Sequence, residues 1–441
     1  MAKMEYKYLY DFNRERYQTL CERELVCRED LGSVVVEEGY LLPNRYAQNR
    51  LFGHGGVLNA KKEYEKCSEM NAYSKYAATP GEEDEMEIYL GEGYEIDEKK
   101  AEYLDEEVVY LGYINNHWGH FLLDSSTRLY TFLRDTDKKY KYAFLVNEGQ
   151  DYAPVPSIVR FFELLGITNQ LIFINKVTRC RRIIIPEQAY MINKYYSKEH
   201  MKVFERVVSQ VDCSKYPSYE KVYYSRANFK KAQGSEVGEK VLLKIFEKNN
   251  FKIVAPEKCT LDEQIAIVRN TQLLVAITGT IPHNLLFAKP GQKMVIINKT
   301  HNLNVAQTDI NLMKNADVTY VDAYLAKFPV MIGMGPFLLH YSKPLEEYLK
   351  LNGLQTLSSD EYTADEQNRN SKTYEKMYRL KMIKETSLSY ETDRGRFDYF
   401  HPAHLVAYNE AFYYKHNPIR VWERAIVFMQ RVERFVKRFI K

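Results

Sequence analysis

The sequence predicts an α/β fold with two units, each a parallel sheet covered by helices, that face each other across a cleft. From Val108 onward, short apolar runs that suit buried strands alternate with amphipathic helical patterns, as is typical of parallel sheets. The alternation restarts after Pro217, which indicates the second unit. A length of 441 residues, at roughly 150 residues per domain, accommodates two units and an appended segment.

The first unit is assigned to residues 108–215, with residues 1–107 as an N-terminal segment that contributes to it. In that segment, residues 34–36 predict a strand, and the glycine-rich residues 52–56 predict a plain turn, with a phosphate-binding loop as the alternative. The elements predicted within the unit are VVYLGYI (strand), FLLDSSTRLYTFL (helix), YAFLV (strand), PSIVRFFELLGI (helix), LIFI (strand), RRIIIP (strand) and KEHMKVFERVVSQV (helix).

The second unit is assigned to residues 216–335, and both units are predicted to be Rossmann-like. Its predicted elements are KVYYS (strand), GEKVLLKIFEKN (helix), KIVAP (strand), LDEQIAIVRN (helix), LLVAIT (strand), PHNLLFA (helix), KMVIIN (strand) and VTYVD (strand). Ligands of open α/β sheets bind beyond the carboxyl ends of the strands. The loops after Tyr224 and Thr278 are therefore expected to line the cleft.

Residues 336–441 are predicted to form a helical C-terminal extension. Within it, residues 357–372 are polar and predict an exposed loop, while residues 417–441 predict a basic amphipathic helix. From Arg420 onward this helix has seven Lys or Arg residues against two Glu. It is expected either to lie on an anionic membrane surface or to pack back across both units.

Composition excludes several classes of protein. A net charge of +3 provides no global field for nucleic acid, so no nucleic-acid partner is expected. No window approaches 18 uncharged apolar residues, and the six cysteines have no metal-ligand spacing. The acidic pair in Asp135-Thr136-Asp137 ends a helical pattern, so no metal site is predicted there. We expect a cytoplasmic protein, with peripheral contact at the inner face of the membrane if the C-terminal helix binds it.

One candidate ligand-binding segment follows the most apolar strand of the second unit. There the strand LLVAI runs into a turn around Gly279, and Thr280 can cap the next helix, whose free N–H groups would favour a phosphate. An ordinary capped turn is the alternative. The candidate residues of this segment are Thr278, Gly279, Thr280, His283 and Asn284.

A second candidate is the pair Ser225-Arg226 at the carboxyl end of another strand. A guanidinium there can bind a diphosphate through two parallel hydrogen bonds, and Lys230 and Lys231 add positive charge nearby. An ordinary surface arginine is the alternative interpretation.

A third candidate lies at the strand-to-helix junction that begins at Asn115. His120 and Asp124 are four residues apart on one helical face, so together they form a candidate general-base pair. Either member can be the base. His117 either joins the pair or packs structurally, and Asn116 is a candidate helix cap.

These three stretches, in this order, resemble glycosyltransferase family 61, also called the capsular-polysaccharide-biosynthesis family, over residues 108 to 300. That family typically has an N-x-x-H-[WF]-L-x-D segment, a strand ending in S-R, an E-Q-I helix and a G-x-G-x-x-N-x-x-F-x-x-P-G run. The counterparts here are His120 to Asp124, Ser225-Arg226, Glu263-Gln264-Ile265 and Gly279 to Gly291. Three features differ: Thr278 stands where the family often has His, and Ile281 replaces the second Gly. The second Arg that often follows S-R is absent, which leaves Lys230 or Lys231 as its substitute.

The resemblance implies a GT-B fold and an inverting transferase without a bound metal or other cofactor. Its co-substrate would be a nucleotide sugar, with a UDP-sugar as the expected donor, and its acceptor a glycan or a lipid-linked sugar. Asp124 and His120 would serve catalysis, and the two second-unit segments would bind the donor, with His117, Asn116 and Glu263 as further site candidates. In bacterial relatives the usual context is surface polysaccharide assembly.

Two other functions are weighed against this one. Thr278 in place of the family histidine keeps open a non-catalytic scaffold that binds sugar nucleotides or polysaccharide on the same fold. A Rossmann oxidoreductase is disfavoured, because no G-x-G-x-x-G with a downstream acidic residue occurs.

Overall fold

Two β-sheets organise this mixed α/β protein, for which a computed structural model describes residues 4–46, 53–75, 85–227, 229, 236–301, 304–328, 335–391 and 429. We call the nine-stranded sheet sheet I and the six-stranded sheet sheet II. Two smaller sheets, of three and two strands, accompany them.

The described strands follow one another along the chain as β1 (Met4–Tyr8), β2 (Val26–Cys27), β3 (Ser33–Glu37), β4 (Tyr40–Tyr46), β5 (Gly53–Leu58), β6 (Met70–Lys75), β7 (Glu85–Gly91), β8 (Glu102–Tyr113), β9 (Lys141–Leu145), β10 (Leu171–Ile174), β11 (Thr178–Pro186), β12 (Tyr190–Met191), β13 (Tyr195–Tyr196), β14 (Tyr219–Tyr224), β15 (Glu236–Val237), β16 (Lys252–Val254), β17 (Thr271–Ile277), β18 (Lys293–Asn298), β19 (Asp317–Asp322) and β20 (Phe337–Leu338). The described α-helices are α1 (Asp11–Glu22), α2 (Trp118–Leu123), α3 (Tyr130–Arg134), α4 (Pro156–Leu165), α5 (Lys198–Ser209), α6 (Lys240–Lys248), α7 (Leu261–Asn270), α8 (Val305–Met313), α9 (Lys343–Leu351) and α10 (Ala364–Glu391).

Sheet II is parallel throughout, with strand order β1-β19-β18-β17-β14-β16. The chain leaves β14 for β16 on one side and then crosses to β17 on the other, so the direction of strand progression reverses between β14 and β17. Such a topological switch point opens a crevice at the carboxyl ends of the strands. The loops after β14 and β17, which the sequence analysis singled out, lie side by side at this point.

Sheet I combines a parallel half with a half of mixed strand orientation, in which β5 and β7 pair in parallel and the other pairs are antiparallel. Strands β10, β9, β8 and β11 are parallel, and strands from the N-terminal segment extend the sheet beyond β11. Here too the progression reverses, between β8 and β11. The segment that leaves the carboxyl end of β8 and enters α2 therefore starts from the switch point of sheet I.

Most elements predicted from Val108 onward are confirmed, and their ends have local causes. Helix α4 begins with a proline and ends at Gly166, whose φ of 88° lies in the left-handed region that favours glycine. Helix α7 begins with a capping box, in which Thr260 and Glu263 satisfy each other's backbone N–H groups.

The prediction of one continuous helix over FLLDSSTRLYTFL is wrong. The chain forms α2, then a 3-10 helix Ser125–Arg128, and then α3. Hydroxyl groups compete with the regular helical pattern, because Ser126 donates to the Leu122 carbonyl at 2.7 Å and Thr127 to the Asp124 carbonyl at 3.0 Å.

Four further predictions differ from the structure, and one helix of the second unit was not predicted. PHNLLFA lies in a 3-10 helix, Ile281–Phe287, rather than an α-helix, and residues 53–56 lie in strand β5 rather than a plain turn. The loop predicted over residues 357–372 gives way to α10 at Ala364, and α8 was not predicted. Strand β1, from the segment assigned to the first unit, pairs with β19 in sheet II.

Two sequence predictions lie outside the described residues: the contribution of Lys230 and Lys231 to the site, and the basic helix predicted over residues 417–441, of which only Met429 is described. Within the described part of the chain, no helix is both long and apolar enough to cross a membrane.

The main hydrophobic core joins the helices of both sheets. Phe287, from the 3-10 helix after β17, packs against three aromatic side chains from sheet I elements, at ring-centroid distances of 5.7 to 6.4 Å: Trp118, Phe161 and Phe204. On the surface above this cluster, Arg160 of α4 makes two hydrogen bonds to Asp262 of α7, at 2.8 and 2.9 Å.

A buried carboxylate connects α8, the helix between β18 and β19 of sheet II, with the three-stranded sheet β12-β13-β2. Asp309 of α8 is fully buried and pairs with Arg23, while accepting hydrogen bonds from the Tyr190 hydroxyl at 2.9 Å and the Asn193 backbone N–H at 2.8 Å. Burial raises the pKa of Asp309, whereas the Arg23 charge opposes this shift.

Replacing Asp309 by Ala should lower the free energy of unfolding by about 3–5 kcal/mol, because it leaves the largely buried Arg23 charge without its partner. Urea titration followed by circular dichroism measures this change. The control Tyr190→Phe removes one hydrogen bond but keeps the ion pair, and should cost less. A loss below about 1 kcal/mol in Asp309→Ala would contradict the account.

Candidate functional site

The candidate site lies where the carboxyl ends of the sheet II strands meet the amino end of α2. Strands β14, β17 and β18 are adjacent and parallel, so the residues that follow them share one edge of the sheet. Those residues are Arg226, Gly279 and Lys299. Helix α2 reaches this edge from sheet I, since a Cβ added to Gly119 would lie only 3.1 Å from the Thr280 side chain.

His120 and Asp124 form the interaction that their spacing predicts. The Nδ1 atom of His120 lies 2.8 Å from Oδ2 of Asp124, which marks the imidazole Nδ1–H as the donor to the carboxylate. The Asp124 side chain is 3% exposed and the His120 side chain 26%. Burial raises the pKa of Asp124, while the bond to His120 opposes this shift. Of the two groups, the imidazole is the one that a substrate can reach.

His117 stands beside this pair at the start of α2. Its ring centroid lies 5.1 Å from that of His120, and its backbone N–H donates to the Asn115 side chain at 2.7 Å. Surrounding protein atoms lower the pKa of His117 to about 4, and the nearby His120 and Arg226 contribute to this shift. His117 is therefore an uncharged imidazole at neutral pH, close to the Arg226 guanidinium.

The loop that carries Arg226 is held by a buried carboxylate. Oε1 of Glu239 accepts three hydrogen bonds, from the hydroxyl groups of Tyr223 and Ser225 at 2.9 Å each and from the backbone N–H of Arg226 at 2.8 Å. Ser225 Oγ in turn accepts from the Ala227 backbone N–H. Ser225 thus shapes the turn, and Arg226, with its side chain 15% exposed, is the residue that the turn presents.

Gly279 brings the backbone close to two cations. A Cβ placed on it would lie 3.2 Å from Nη1 of Arg226 and 3.9 Å from Nζ of Lys299. Its φ of 152° also lies in the region that side chains rarely adopt. Glycine at this position leaves the guanidinium and the ammonium close to the exposed backbone of the turn.

Lys299 is a site residue that the sequence analysis missed. It follows β18 directly, and its Nζ donates to Glu236 at 2.8 Å, with both side chains 4% exposed. Burial lowers the pKa of Lys299, and the charge of Glu236 opposes this shift. The same carboxylate lies 3.8 Å from Nε of Arg226. The signal was present in the sequence: a lysine at the end of an apolar strand, as with the arginine after β14.

Thr278 and His283 are turned away from this edge. The single hydroxyl hydrogen of Thr278 faces two acceptors within the sheet, Oδ1 of Asn298 at 2.9 Å and the Ile297 carbonyl at 3.1 Å. His283 is buried with Nδ1 at 2.8 Å from the Gln307 side chain, and burial lowers its pKa to about 4. Thr280 precedes the 3-10 helix without capping it through its side chain.

Asn284 is buried and bonded at both ends of its amide. Its Oδ1 accepts from Nε1 of Trp118 at 3.0 Å, and its Nδ2 donates to the Gln264 side chain at 3.0 Å. These two bonds connect the 3-10 helix after β17 with α2 and α7.

Asn116 and Glu263 have local structural roles. Asn116 does not cap α2; its Oδ1 accepts from the Tyr152 hydroxyl and the Val155 N–H, and its Nδ2 donates to the Ala153 carbonyl. Glu263 completes the capping box of α7. In the described ranges, no cluster of three or more His, Cys, Asp or Glu residues could hold a metal ion.

Comparison with known families supports the resemblance drawn from the motifs. Residues 118–295, which include α2 and the loops after β14 and β17, match the model of the family Glycosyltransferase 61. The recognition of this family is thereby confirmed over that range. No curated protein matches the chain.

Acidification should destabilise the protein through His283. Its pKa is about 4 in the folded protein, against an ordinary value of 6.5, so between these pH values the unfolded chain binds a proton that the folded protein does not. This histidine alone should lower the free energy of unfolding by up to about 1.4 kcal/mol for each pH unit from 6.5 down to 4. Above pH 6.5 its contribution should be constant.

Urea titrations of the wild type and His283→Gln at several pH values measure this effect. The glutamine can donate to Gln307 but does not titrate, so its stability should fall less steeply over this interval. Parallel curves for the two proteins would contradict the assignment.

Proposed function

We propose that this protein is an inverting glycosyltransferase that moves a sugar from a nucleotide-sugar donor to an acceptor hydroxyl. The family match indicates a glycosyltransferase. The observation that carries the finer proposal is the convergence of the His120–Asp124 pair with Arg226, Gly279 and Lys299 at one edge of sheet II. This convergence supports the proposal that a proton acceptor lies next to a cationic anion-binding site.

On the donor side, Arg226 and Lys299 would hold the diphosphate. A guanidinium offers paired N–H donors to phosphate oxygens, and a buried ammonium adds a fixed positive charge. Glu239 holds the Arg226 backbone, and Glu236 holds Lys299 through an ion pair, so both cations are positioned before the donor arrives. Fixed charges of this kind stabilise a departing diphosphate without reorganisation.

On the acceptor side, His120 would be the base and Asp124 its positioning residue. Because Nδ1–H donates to Asp124, the remaining nitrogen, Nε2, is the one that can take a proton. The acceptor oxygen would form its bond to the anomeric carbon while its proton passes to Nε2. The bond between that carbon and the diphosphate oxygen would break on the opposite face, which inverts the configuration.

The finer features of the proposal derive from the family resemblance. They are a GT-B arrangement of the two sheets, a UDP-sugar as donor and a glycan or lipid-linked acceptor of a surface polysaccharide. The seven basic residues from Arg420 onward support a peripheral contact with an anionic membrane. Thr280, which follows Gly279 at this edge, is a further candidate for binding the sugar-nucleotide donor.

Release of free nucleoside diphosphate from a panel of sugar nucleotides tests the proposed activity. The wild type should release it from at least one donor, and faster when a hydroxyl acceptor is supplied. Binding of a sugar nucleotide without any release would instead favour the non-catalytic scaffold. Absence of both binding and release would refute the transferase and the scaffold that binds sugar nucleotides.

Arg226→Ala should weaken the binding of UDP about 10- to 100-fold, because one charge-assisted hydrogen bond contributes about 1.5–3 kcal/mol. Isothermal titration calorimetry measures the affinity, and a circular-dichroism melt checks the fold. Lys221→Ala is a matched control, since this lysine lies within β14 away from the carboxyl end. Unchanged UDP affinity in a folded Arg226→Ala protein would exclude Arg226 from the site.

His120→Ala should lower turnover by about 10²–10⁴, the usual cost of losing a general base, while UDP affinity stays near that of the wild type. Asp124→Asn should also lower turnover, because an amide can no longer hold Nδ1–H in the same way. Steady-state kinetics on the donor found in the panel measures both variants. If both keep at least a third of the wild-type turnover, the base lies elsewhere.

A further inference from the structure

The polar groups between α2 and sheet II form one directed chain of hydrogen bonds. An indole N–H can only donate, so the Trp118 bond fixes Oδ1 of Asn284 as the acceptor and turns Nδ2 towards Gln264. Nε2 of Gln264 donates in turn to the carbonyl groups of Pro256 and Cys259, at 3.2 Å each. Every amide in the chain has therefore one orientation that satisfies its partners.

This chain of hydrogen bonds begins on the helix that carries the candidate base. Trp118 is the first residue of α2, next to His117 and two residues before His120. Its ring stacks on Phe121 at 5.7 Å and on Phe287 at 6.3 Å, with interplanar angles of 20° and 18°. The hydrogen bond fixes the ring within this stack, and the close approach of Gly119 to Thr280 fixes the helix beside it.

We propose that Trp118 and Asn284 are positioning residues, whose hydrogen bond sets the place of His120 relative to the donor-binding edge of sheet II. Asn284 is buried and bonded at both amide ends, so its contribution comes through α2 rather than through contact with the donor. The inference rests on the proposed transferase function. Small misplacements matter for a reacting group, since an error of about 1 Å can cost 10²-fold in rate.

Trp118→Phe tests this role with little change in packing, because it removes the N–H donor and keeps a stacked aromatic ring. The matched control is Tyr190→Phe, which removes another buried hydrogen bond, the one from β12 of the three-stranded sheet to Asp309 of α8, and this bond does not involve α2. The measurements are kcat and KM for the donor found in the panel, UDP affinity by calorimetry and the melting temperature.

We expect Trp118→Phe to lower kcat about 10-fold or more, with UDP affinity within twofold of the wild type, while Tyr190→Phe keeps its kcat. Asn284→Ala should lower kcat similarly. The double variant Trp118→Phe/Asn284→Ala should be no slower than the slower single variant, since both substitutions break the same Trp118–Asn284 hydrogen bond.

Three results would overturn the inference. If Trp118→Phe keeps at least half of the wild-type kcat, or if its UDP affinity falls in proportion to kcat, the hydrogen bond does not position the base and the proposed function stands. If the wild type itself releases no nucleoside diphosphate, both the proposed function and this inference fail.

Discussion

The contact between α2 and the turn after β17 is the constraint on which the candidate site depends. Phe287 packs among Trp118, Phe161 and Phe204, so the helices of sheet I and the turn of sheet II share one hydrophobic core. Gly119 allows α2 to approach Thr280 closely. Burial of these rings favours a single arrangement, and the residues at the amino end of α2 are therefore held against the cations of sheet II.

The electrostatics of the site follow from burial. Arg226 and Lys299 are cations with little exposure to water. Both lie near the Glu236 carboxylate, whose charge offsets the cost of their desolvation. His117, just before α2, and His283, in the 3-10 helix after β17, have pKa values of about 4 and are uncharged at neutral pH. The positive charge of the described part of this edge is therefore assigned to Arg226 and Lys299 rather than to these two histidines.

The sequence predicted the regular elements well where local signals and burial agree. The longer apolar strands between β8 and β19 and the capped helix α7 are examples, and the loops at the switch point of sheet II were predicted from the strand ends alone.

Prediction from the sequence failed where contacts between residues distant in the chain determine the structure. Hydroxyl groups break the helix after α2, and β1 finds its partner more than 300 residues away in sequence, at β19. Lys299 and Glu236 are brought together only by the fold. The hydrogen bond between Asn284 and Trp118 of α2 likewise could not be predicted from the motif that contains Asn284.

The central claim is that Arg226 and Lys299 face His120 across a site for a nucleoside diphosphate. A crystal structure of the protein with UDP tests it most directly. The account predicts that the diphosphate lies beside Gly279, within hydrogen-bond distance of the Arg226 guanidinium and on the side of the turn that faces His120. A well-ordered UDP bound elsewhere, with no contact to Arg226 or Lys299, would contradict it.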